Sequence, residues 1–329
     1  MTRVIVTGGR GLVGHAYKQL IDIVGGSNAS DTFEYHFITR QDCDLRNRDQ
    51  VLETFNKIQP HIVVHLASHV GGVYDNMNNN YTYLMDNIAI NCNIVEACKR
   101  TRVGKLVNIL STCIFPDIAN NPQLVYPLQS KQLHDGLPHD SNIGYAYSKR
   151  VLHVASEILA RTPDCPTQVV NIIPTNLYGE NDNYNIQSAH VIPALVHKTV
   201  LAKQSGSPLQ VRGSGLAMRQ FLYAGDLARI IHSFVTQVYR HDSRTITFIA
   251  SPPSDTEISI RHVVELICKI LEFTGKVEYD STDSIGQVSK TTSNVELKRF
   301  VPDFQFTDFE NGLRNTIDYF VKHYDNLRI

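Results

Sequence analysis

A tyrosine and a lysine in the middle of the chain have the spacing and residue types of a proton-transfer site. Tyr145 and Lys149 are four residues apart in a predicted helix, so they share one helix face. An ammonium group beside the phenol would lower the phenol pKa, which is about 10 in an unperturbed tyrosine. Ser111 ends a predicted strand and could hydrogen-bond the same carbonyl oxygen. The three residues predict proton transfer at a carbonyl, whereas Tyr147 projects from another helix face and is interpreted as a packing residue.

Three glycines near the start of the chain follow a predicted strand and open a predicted helix. They are Gly8, Gly11 and Gly14. Glycine permits a tight turn and lets the backbone approach a pyrophosphate, while the helix N-terminus offers unpaired N–H groups to the phosphates. A structural turn without a ligand is the alternative, which the strand–turn–helix context disfavours. The pattern therefore predicts a dinucleotide-binding turn.

Two arginines suggest which dinucleotide would bind. The second predicted strand ends at Thr39 and Arg40 without the carboxylate that NAD-preferring sites usually carry there. Arg40, together with Arg10 in the glycine turn, could form a fork for a 2′-phosphate, a group that guanidinium binds well. Two merely solvated arginines are the alternative. We therefore expect NADP(H) as the cofactor.

The first half of the chain alternates β-rich and amphipathic helical stretches, which is typical of a parallel sheet covered on both faces. The predicted strands are Val4–Thr7, Tyr35–Thr39, Ile62–Leu66, Leu106–Leu110 and Val169–Ile173. The predicted helices are Leu12–Val24, Arg48–Ile58, Tyr83–Arg100 and Tyr145–Ala160. The predicted fold class is α/β, a doubly wound Rossmann sheet.

The pattern changes after about Gly179, where a polar stretch precedes further elements. These are helices from Val191, over Phe221–Val235 and near Ile260–Phe273 and Phe309–His323, and strands at Leu209–Val211 and Thr245–Ala250; Val277–Tyr279 lies between the last two helices. We predict an NADP-binding Rossmann domain over residues 1–179, to which residues 216–250 return. Residues 180–215 and 251–329 would form a smaller, discontinuous α/β substrate-binding lobe.

Composition argues against several other classes of protein. The 329 residues are 42% hydrophobic and 19% charged, with a formal net charge of −1, so neither disorder nor a concentrated basic field is indicated. We expect no nucleic-acid or membrane partner. The six cysteines have no metal-type spacing and no secretion-signal pattern is evident, so we expect a cytoplasmic protein with reduced thiols. His61, His65 and His69 fall around a buried strand without acidic ligands, so no metal site is predicted.

The glycine turn, Ser111 and the Tyr145–Lys149 pair together resemble the extended short-chain dehydrogenase/reductase family over essentially the whole chain. Finer motifs resemble the GDP-L-fucose synthases within it: Ser111-Thr112-Cys113-Ile114-Phe115-Pro116, Pro174-Thr175-Asn176-Leu177-Tyr178-Gly179, His190-Val191-Ile192-Pro193-Ala194-Leu195, Gly213-Ser214-Gly215, Arg219-Gln220-Phe221 and Lys290. Taken together these motifs are specific, although each alone is a modest signal.

The resemblance implies epimerisation at C3 and C5 of GDP-4-keto-6-deoxy-D-mannose, followed by NADPH-dependent reduction at C4. The C4 carbonyl acidifies the neighbouring C–H bonds, so inversion needs a base on one face of the sugar and an acid on the other. Cys113 would be the base and His190 the acid. Tyr145 would stabilise the enolate and protonate the alkoxide, supported by Lys149 and Ser111. A structural thiol at Cys113 and a helix-capping role for His190 are the alternatives.

The resemblance also implies the binding residues and a homodimer. The implied cofactor contacts are Gly8, Arg10, Gly11, Leu12, Val13, Gly14, Arg40, Asp44, Leu45, Leu66, Ala67, Tyr145, Lys149, Pro174, Asn176 and Leu177. The implied substrate contacts are Asn176, His190, Lys198, Arg212, Arg219 and Lys290. Two positions depart from the family pattern: Arg212, where tryptophan is common, and Ile285, where aspartate is usual.

Three other functions remain as alternatives. A 4,6-dehydratase would carry Asp-Glu after Thr112 to eliminate water, but Cys113 and Ile114 stand there. A 4-epimerase would need no base–acid pair, which leaves Cys113 and His190 unexplained. A non-catalytic NADP-sensing protein would be expected to lose the tyrosine or the lysine, and both are present.

Overall fold

The computed structural model of the chain describes residues 1–25, 32–119, 121–237, 244–280 and 290–327. The strands of these ranges are β1 (Thr2–Thr7), β2 (Phe33–Ile38), β3 (Ile62–His65), β4 (Lys105–Ile109), β5 (Gln168–Pro174), β6 (Asn176–Tyr178), β7 (Leu209–Arg212), β8 (Met218–Arg219), β9 (Phe221–Tyr223), β10 (Thr245–Ala250), β11 (Ile258–Ser259) and β12 (Val277–Asp280). The helices are α1 (Leu12–Val24), α2 (Arg48–Ile58), α3 (Val73–Arg100), α4 (Ile143–Arg161), α5 (Val191–Ser205), α6 (Ala224–Thr236), α7 (Ile260–Ile270), α8 (Val295–Phe300) and α9 (Phe309–Lys322). Within these ranges, none of the helices has the length and apolarity that a membrane span requires.

The large sheet has six strands within the described ranges, in the order β10-β5-β4-β3-β1-β2. Every pair in it is parallel. From β1 the chain moves outward to β2, then returns to the other side of β1 and continues through β3, β4 and β5. This reversal opens a crevice at the carboxyl ends of the strands, where ligands of such sheets bind. The predicted doubly wound α/β fold is confirmed.

Both faces of the sheet are buried, as is usual for parallel strands. In β1, Val4 and Val6 face a core formed with α1 and α6, while Ile5 faces a second core formed with α2 and α3. The alternation follows from the two-residue period of a strand. The continuous apolar run in β1 therefore packs against helices on both faces of the sheet.

Some predicted element boundaries are wrong. The helix predicted over Phe221–Val235 begins at Ala224, because Phe221–Tyr223 forms β9 and pairs with β6. The helix predicted from Tyr83 begins ten residues earlier, at Val73, and contains a kink at Asn79 with φ −129° and ψ 23°. The segment before the kink carries polar side chains, which hid its helical character from periodicity alone.

A third core lies in the smaller unit predicted after Gly179. Buried residues of α5, α7 and α9 meet those of β7 in this core, and β12 pairs with β7 in parallel. The exact boundaries between the two units remain a prediction. Within the range predicted to be the substrate lobe, Leu297 and Phe300 of α8 pack instead against the core beside β10. Residues 295–300 thus return to the large sheet.

Candidate active site

The glycine turn between β1 and α1 is tightly packed against the end of β3. Gly8 has φ +71°, and a Cβ at this position would lie 2.9 Å from the amide nitrogen of Ala67. A Cβ at Gly14 would collide with the carbonyl oxygen of Gly8. Gly11 is the N-cap residue of α1, and no side chain of the described residues caps this helix. The turn is therefore a cradle of backbone groups that fits a pyrophosphate.

Thr7 fixes the end of β3 beside this turn. Its hydroxyl oxygen accepts hydrogen bonds from the amides of Leu66 and Ala67, both at 3.1 Å. Leu66 also packs against the core under the turn, together with Leu12 and Val13 at the start of α1. The structure thus brings these predicted cofactor contacts together around the glycine turn.

The two arginines predicted to select the cofactor lie at the mouth of the glycine turn. Gly9 donates a backbone hydrogen bond to Ile38 at 3.1 Å, which joins the turn to the end of β2. Arg10 and Arg40 are both exposed. Hydrogen bonds from Thr39 lower the pKa of Asp42, and the charge of Arg10 contributes to the same effect. Both arginines are therefore exposed to an anion that enters from solvent.

Asp44 lies in the loop after β2 and is held by Arg46. The guanidinium donates to its two carboxylate oxygens at 3.0 and 2.7 Å. These bonds lower the pKa of Asp44 to about 2. Asn93 of α3 donates to the carbonyl oxygen of the adjacent Leu45 at 2.9 Å. The Asp44–Leu45 segment, another predicted cofactor contact, is thus fixed in both side chain and backbone.

The acidity of Tyr145, the predicted proton donor, differs from expectation. Tyr145 on α4 is 8% exposed, and burial raises the pKa of its phenol. Lys149 Nζ lies 5.7 Å from the centroid of the Tyr145 ring and donates to the carbonyl oxygen of Ile109 at 2.8 Å. The expected lowering of the phenol pKa is therefore wrong, because the phenol is buried and desolvation raises its pKa. A protonated phenol suits a proton donor.

Buried polar side chains connect α4, which carries Tyr145 and Lys149, to the sheet. His65 of β3 bonds Thr7 at 2.9 Å through Nδ1 and Asn91 at 3.1 Å through Nε2. Asn91 in turn donates to the backbone oxygen of Ser148 at 3.1 Å. Burial, together with the charge of Lys149, lowers the pKa of His65 to about 3. A neutral histidine therefore links the glycine turn to the residue that precedes Lys149.

Cys113 lies on a short 3₁₀ helix, Thr112–Ile114, immediately after β4. The hydroxyl oxygen of Ser111 caps this helix by accepting from the Cys113 amide at 3.3 Å. Cys113 is 8% exposed, and burial raises the pKa of its thiol. The charges of Lys290, Lys149 and Arg150 and a hydrogen bond with Ser111 oppose that rise. The sequence-predicted base is thus surrounded by cations.

His190 is exposed at the N-cap position of α5, and its side chain caps no amide of the described part of the helix. Its position depends on Gly72, which the sequence analysis did not single out. The Gly72 amide donates to Ser188 at 2.8 Å, and a Cβ at Gly72 would collide with the carbonyl oxygen of Ala189. Only glycine lets the start of α3 approach the His190 loop this closely. In the sequence, the adjacent glycines Gly71 and Gly72 were the signal that could have indicated this close approach.

The predicted substrate contacts form two pairs of cations. Burial, and then the charge of Arg212, lower the pKa of Lys198. The guanidinium of Arg212 lies 4.3 Å from the ring centroid of Tyr74 on α3. Burial lowers the pKa of Lys290 to about 8, and the charge of Arg219 acts in the same direction. Paired cations of this kind suit a ligand with more than one negative charge.

The remaining predicted contacts lie along β5 and β6. Pro174 is the buried last residue of β5, and Leu177 packs against the core beneath the glycine turn. Asn176 is exposed, and its side-chain amide donates to the backbone oxygen of Gln220 at 3.0 Å. Ile285, the other departure from the family pattern, lies outside the described residues.

The histidines set aside as metal ligands have other partners. His61 accepts a hydrogen bond from the Arg3 amide at 3.0 Å, and His69 pairs with Asp86 at 3.0 Å. No cluster of metal-ligating side chains occurs in the part of the chain that the structure describes.

Comparison with known proteins identifies the family to which the chain belongs. A sequence profile described as the NAD dependent epimerase/dehydratase family matches residues 4–250. The chain belongs to the NAD dependent epimerase/dehydratase family. It is 38% identical to a GDP-L-fucose synthase of Dictyostelium discoideum, covering 99% of this chain and 97% of that protein. It is 35% identical to a probable GDP-L-fucose synthase of Drosophila melanogaster, with 100% of each covered.

The same family includes a solved structure that matches this chain closely. A GDP-L-fucose synthetase of Naegleria fowleri bound to NADP has a TM-score of 0.88 and 33% sequence identity. The match covers 100% of this chain and 96% of that one. The fold expected from the resemblance is therefore shared across the full length.

Gln220 has a structural role that the sequence did not reveal. It is 1% exposed, and its side-chain oxygen accepts from the amide and the hydroxyl of Thr292 at 2.7 and 2.8 Å. Its side-chain nitrogen donates to the carbonyl oxygen of Pro252 at 3.0 Å. Gln220 therefore ties the segment after Lys290 to the strand that carries Arg219.

The buried ammonium of Lys149 predicts a pH-dependent stability. Burial lowers its pKa from 10.5 to about 8, so the unfolded chain binds more protons than the folded chain between these values. The free energy of unfolding should therefore rise with pH across that window. Lys149→Met should remove on the order of 2 kcal/mol of this rise between about pH 8 and pH 10, as measured by urea unfolding. Lys18→Met, at an exposed position on α1, is the control; equal pH dependence in both variants would contradict the assignment.

Proposed function

We propose that this chain is a GDP-L-fucose synthase, which converts GDP-4-keto-6-deoxy-D-mannose to GDP-L-fucose by two epimerisations and one NADPH-dependent reduction. The main support is the position of Cys113, close enough to Tyr145, Lys149 and Lys290 for their charges to interact. A carbon acid can lose its proton to Cys113 only if the resulting negative charge is stabilised nearby. Full-length similarity to GDP-L-fucose synthases points to the same reaction.

The cofactor cradle fits NADP(H). The glycine turn and the uncapped start of α1 would hold the pyrophosphate, and Arg10 with Arg40 would bind the 2′-phosphate. Tyr145 and Lys149 would contact the ribose beside the nicotinamide. When bound, NADPH supplies the hydride that reduces C4. The NADP-bound relative from Naegleria fowleri supports this choice of cofactor.

Epimerisation requires one proton to leave and another to enter at each carbon. Cys113, as the thiolate, takes the proton from C3 or C5, and the C–H electron pair moves to the C4 oxygen as an enolate. His190 then gives a proton to the opposite face of the same carbon, and the C4 ketone reforms. Proton exchange with solvent returns Cys113 to thiolate and His190 to its acid form. The exposure of His190 supports this exchange.

Reduction uses other residues of the same site. Tyr145 gives its phenolic proton to the C4 oxygen as the alkoxide forms. The raised pKa of Tyr145 keeps that proton in place until the oxygen becomes strongly basic. Ser111 donates a hydrogen bond to the same oxygen, and the charge of Lys149 stabilises the negative charge that develops.

The cationic pairs would bind the GDP diphosphate. Lys198 with Arg212 and Arg219 with Lys290 would supply four positive charges, and Asn176 would add an amide. Stacking on Tyr74 fixes the Arg212 guanidinium, which here replaces the tryptophan common in the family. A cytoplasmic setting is part of the proposal.

Exposed apolar side chains on α3 and α4 suggest a homodimer, which we also propose. Tyr81 and Met85 of α3 are 76% and 47% exposed, and Val154 and Ile158 of α4 are 42% and 60% exposed. Each pair is four residues apart, so it lies on one helix face, and α3 packs along α4. A second copy of the chain would cover this surface through the same four residues.

Tyr145→Phe should nearly abolish reduction while NADPH still binds. The variant lacks the proton donor, so NADPH oxidation should fall by about 100-fold or more, whereas NADPH should bind as before. Tyr147→Phe, a half-buried neighbour on the same helix, is the matched control and should retain activity. Stopped-flow absorbance and fluorescence titration would measure the two effects. Retained reduction in Tyr145→Phe would exclude it as the proton donor.

Arg40→Asp should shift cofactor preference towards NADH. The change removes one arm of the proposed 2′-phosphate fork and adds a repelling charge, so the ratio of kcat/KM for NADPH over NADH should fall by about tenfold or more. Lys18→Asp makes a like charge change on an exposed part of α1 and is the control. An unchanged ratio in Arg40→Asp would place 2′-phosphate recognition elsewhere.

The double variant Val154→Glu/Ile158→Glu should be a monomer. Two carboxylates on the proposed contact face would have to be desolvated in a dimer. Val321→Glu on α9, where the side chain is 56% exposed, is the control and should remain a dimer. Sedimentation velocity would distinguish the two forms, and a monomeric wild-type protein at assay concentration would contradict the proposal.

A further inference from the structure

Arg150 follows Lys149 on α4 and is buried, with 8% of its surface exposed. Its Nε donates to the carbonyl oxygen of Ile114 at 2.8 Å. Its guanidinium carbon lies 5.6 Å from the ring centroid of Tyr147. Among the described residues, its Nη2 has no hydrogen-bond partner. Among the contacts of the described residues, the buried guanidinium is therefore held by its hydrogen bond to Ile114 and by the ring of Tyr147.

Burying a charged guanidinium with so few partners destabilises the folded protein, which suggests that the charge has a function. Removing a guanidinium from water costs several kcal/mol, and a neutral donor could satisfy the Ile114 oxygen at a smaller penalty. The oxygen that Arg150 binds belongs to the residue next to Cys113, on the same 3₁₀ helix. Arg150 is therefore attached to the short segment that carries the thiol, and its charge acts on that thiol.

Other groups around Cys113 are committed to other contacts. From α4, Tyr145 and Lys149 face the thiol, but the Lys149 ammonium donates to Ile109. Ser111 faces it from its own turn, and Lys290 faces it from the C-terminal part while also interacting with Asp117 and Arg219. Among these cations, Arg150 is hydrogen-bonded to the Cys113 turn itself.

We propose that Arg150 is a positioning residue for Cys113: it fixes the Thr112–Ile114 turn through the Ile114 oxygen and holds a positive charge beside the sulfur in its thiolate form. This inference rests on the proposed function, in which Cys113 is the base at C3 and C5. Arg150 itself does not contact the reacting atoms. It raises the fraction of Cys113 that can accept a proton at neutral pH and keeps the sulfur aimed at the sugar.

The direct test is the pH dependence of Cys113 alkylation by iodoacetamide in the full-length protein, followed by mass spectrometry of the Cys113 peptide. Arg150→Gln keeps a neutral donor for the Ile114 oxygen, and Arg150→Met is a second neutral variant in case the first folds poorly. Both should raise the apparent thiol pKa by about one unit, as expected on loss of a nearby opposite charge. Arg150→Lys keeps the charge and should titrate like the wild type. Alkylation of Cys92, exposed on α3, is the internal control and should be the same in all variants.

A second readout separates positioning from general damage. Deuterium exchange at C3 and C5 of the substrate should fall by about tenfold in Arg150→Gln at neutral pH and recover as pH rises. The KM for NADPH should not change. Wild-type alkylation profiles in a folded neutral variant would overturn the role of Arg150. Absence of exchange in the wild-type protein would instead refute the proposed function, while the alkylation experiment would still decide whether Arg150 tunes the thiol.

Discussion

Buried positive charge beside one thiol is the constraint on which the site depends. Lys149, Arg150 and Lys290 all act on Cys113, and burial lowers the pKa of each of the three cations. Such charges destabilise a folded protein unless anions meet them. In the proposed reaction those anions are the Cys113 thiolate, the enolate oxygen and the substrate diphosphate. The same burial keeps the Tyr145 phenol protonated, whereas at Cys113 the nearby positive charges oppose the rise that burial causes in the thiol pKa.

The sheet makes this environment possible by bringing distant segments to one edge. The glycine turn follows β1, Ala67 follows β3, Ser111 follows β4, and these strands are neighbours with parallel directions. Two sets of hydrogen bonds then fix α4, which carries the proposed proton donor, to that edge. Lys149 donates to the end of β4, and the buried His65–Asn91 pair holds the backbone of Ser148. Tyr145 and Cys113 are consequently placed by the sheet rather than by flexible loops.

Sequence patterns predicted the parts of this architecture that depend on local spacing. Gly8 and Gly14 have backbone contacts too close for a Cβ atom, and a Cβ at Gly11 would lie 3.3 Å from the carbonyl oxygen of Gly8, so the spacing of the three glycines predicts the turn. The four-residue interval between Tyr145 and Lys149 also depends only on local helix geometry, so the sequence predicts it. By contrast, Gly72 and Gln220 act through contacts with segments far away in the chain, at Ala189 and Thr292, which periodicity cannot reveal. The acidity of Tyr145 was mispredicted for the same reason, since burial is a tertiary property. The identity of the site residues remains a prediction that the geometry supports.

One measurement tests the central claim that a single site performs both carbon-acid chemistry and reduction. The protein would be incubated with GDP-4-keto-6-deoxy-D-mannose and NADPH in deuterated water, and the product sugar analysed by NMR. The account predicts GDP-L-fucose with solvent deuterium at both C3 and C5 and one NADPH consumed per sugar. A product reduced at C4 without deuterium at C3 and C5 would contradict it, because the enzyme would then be a simple ketone reductase and Cys113 would not be a base.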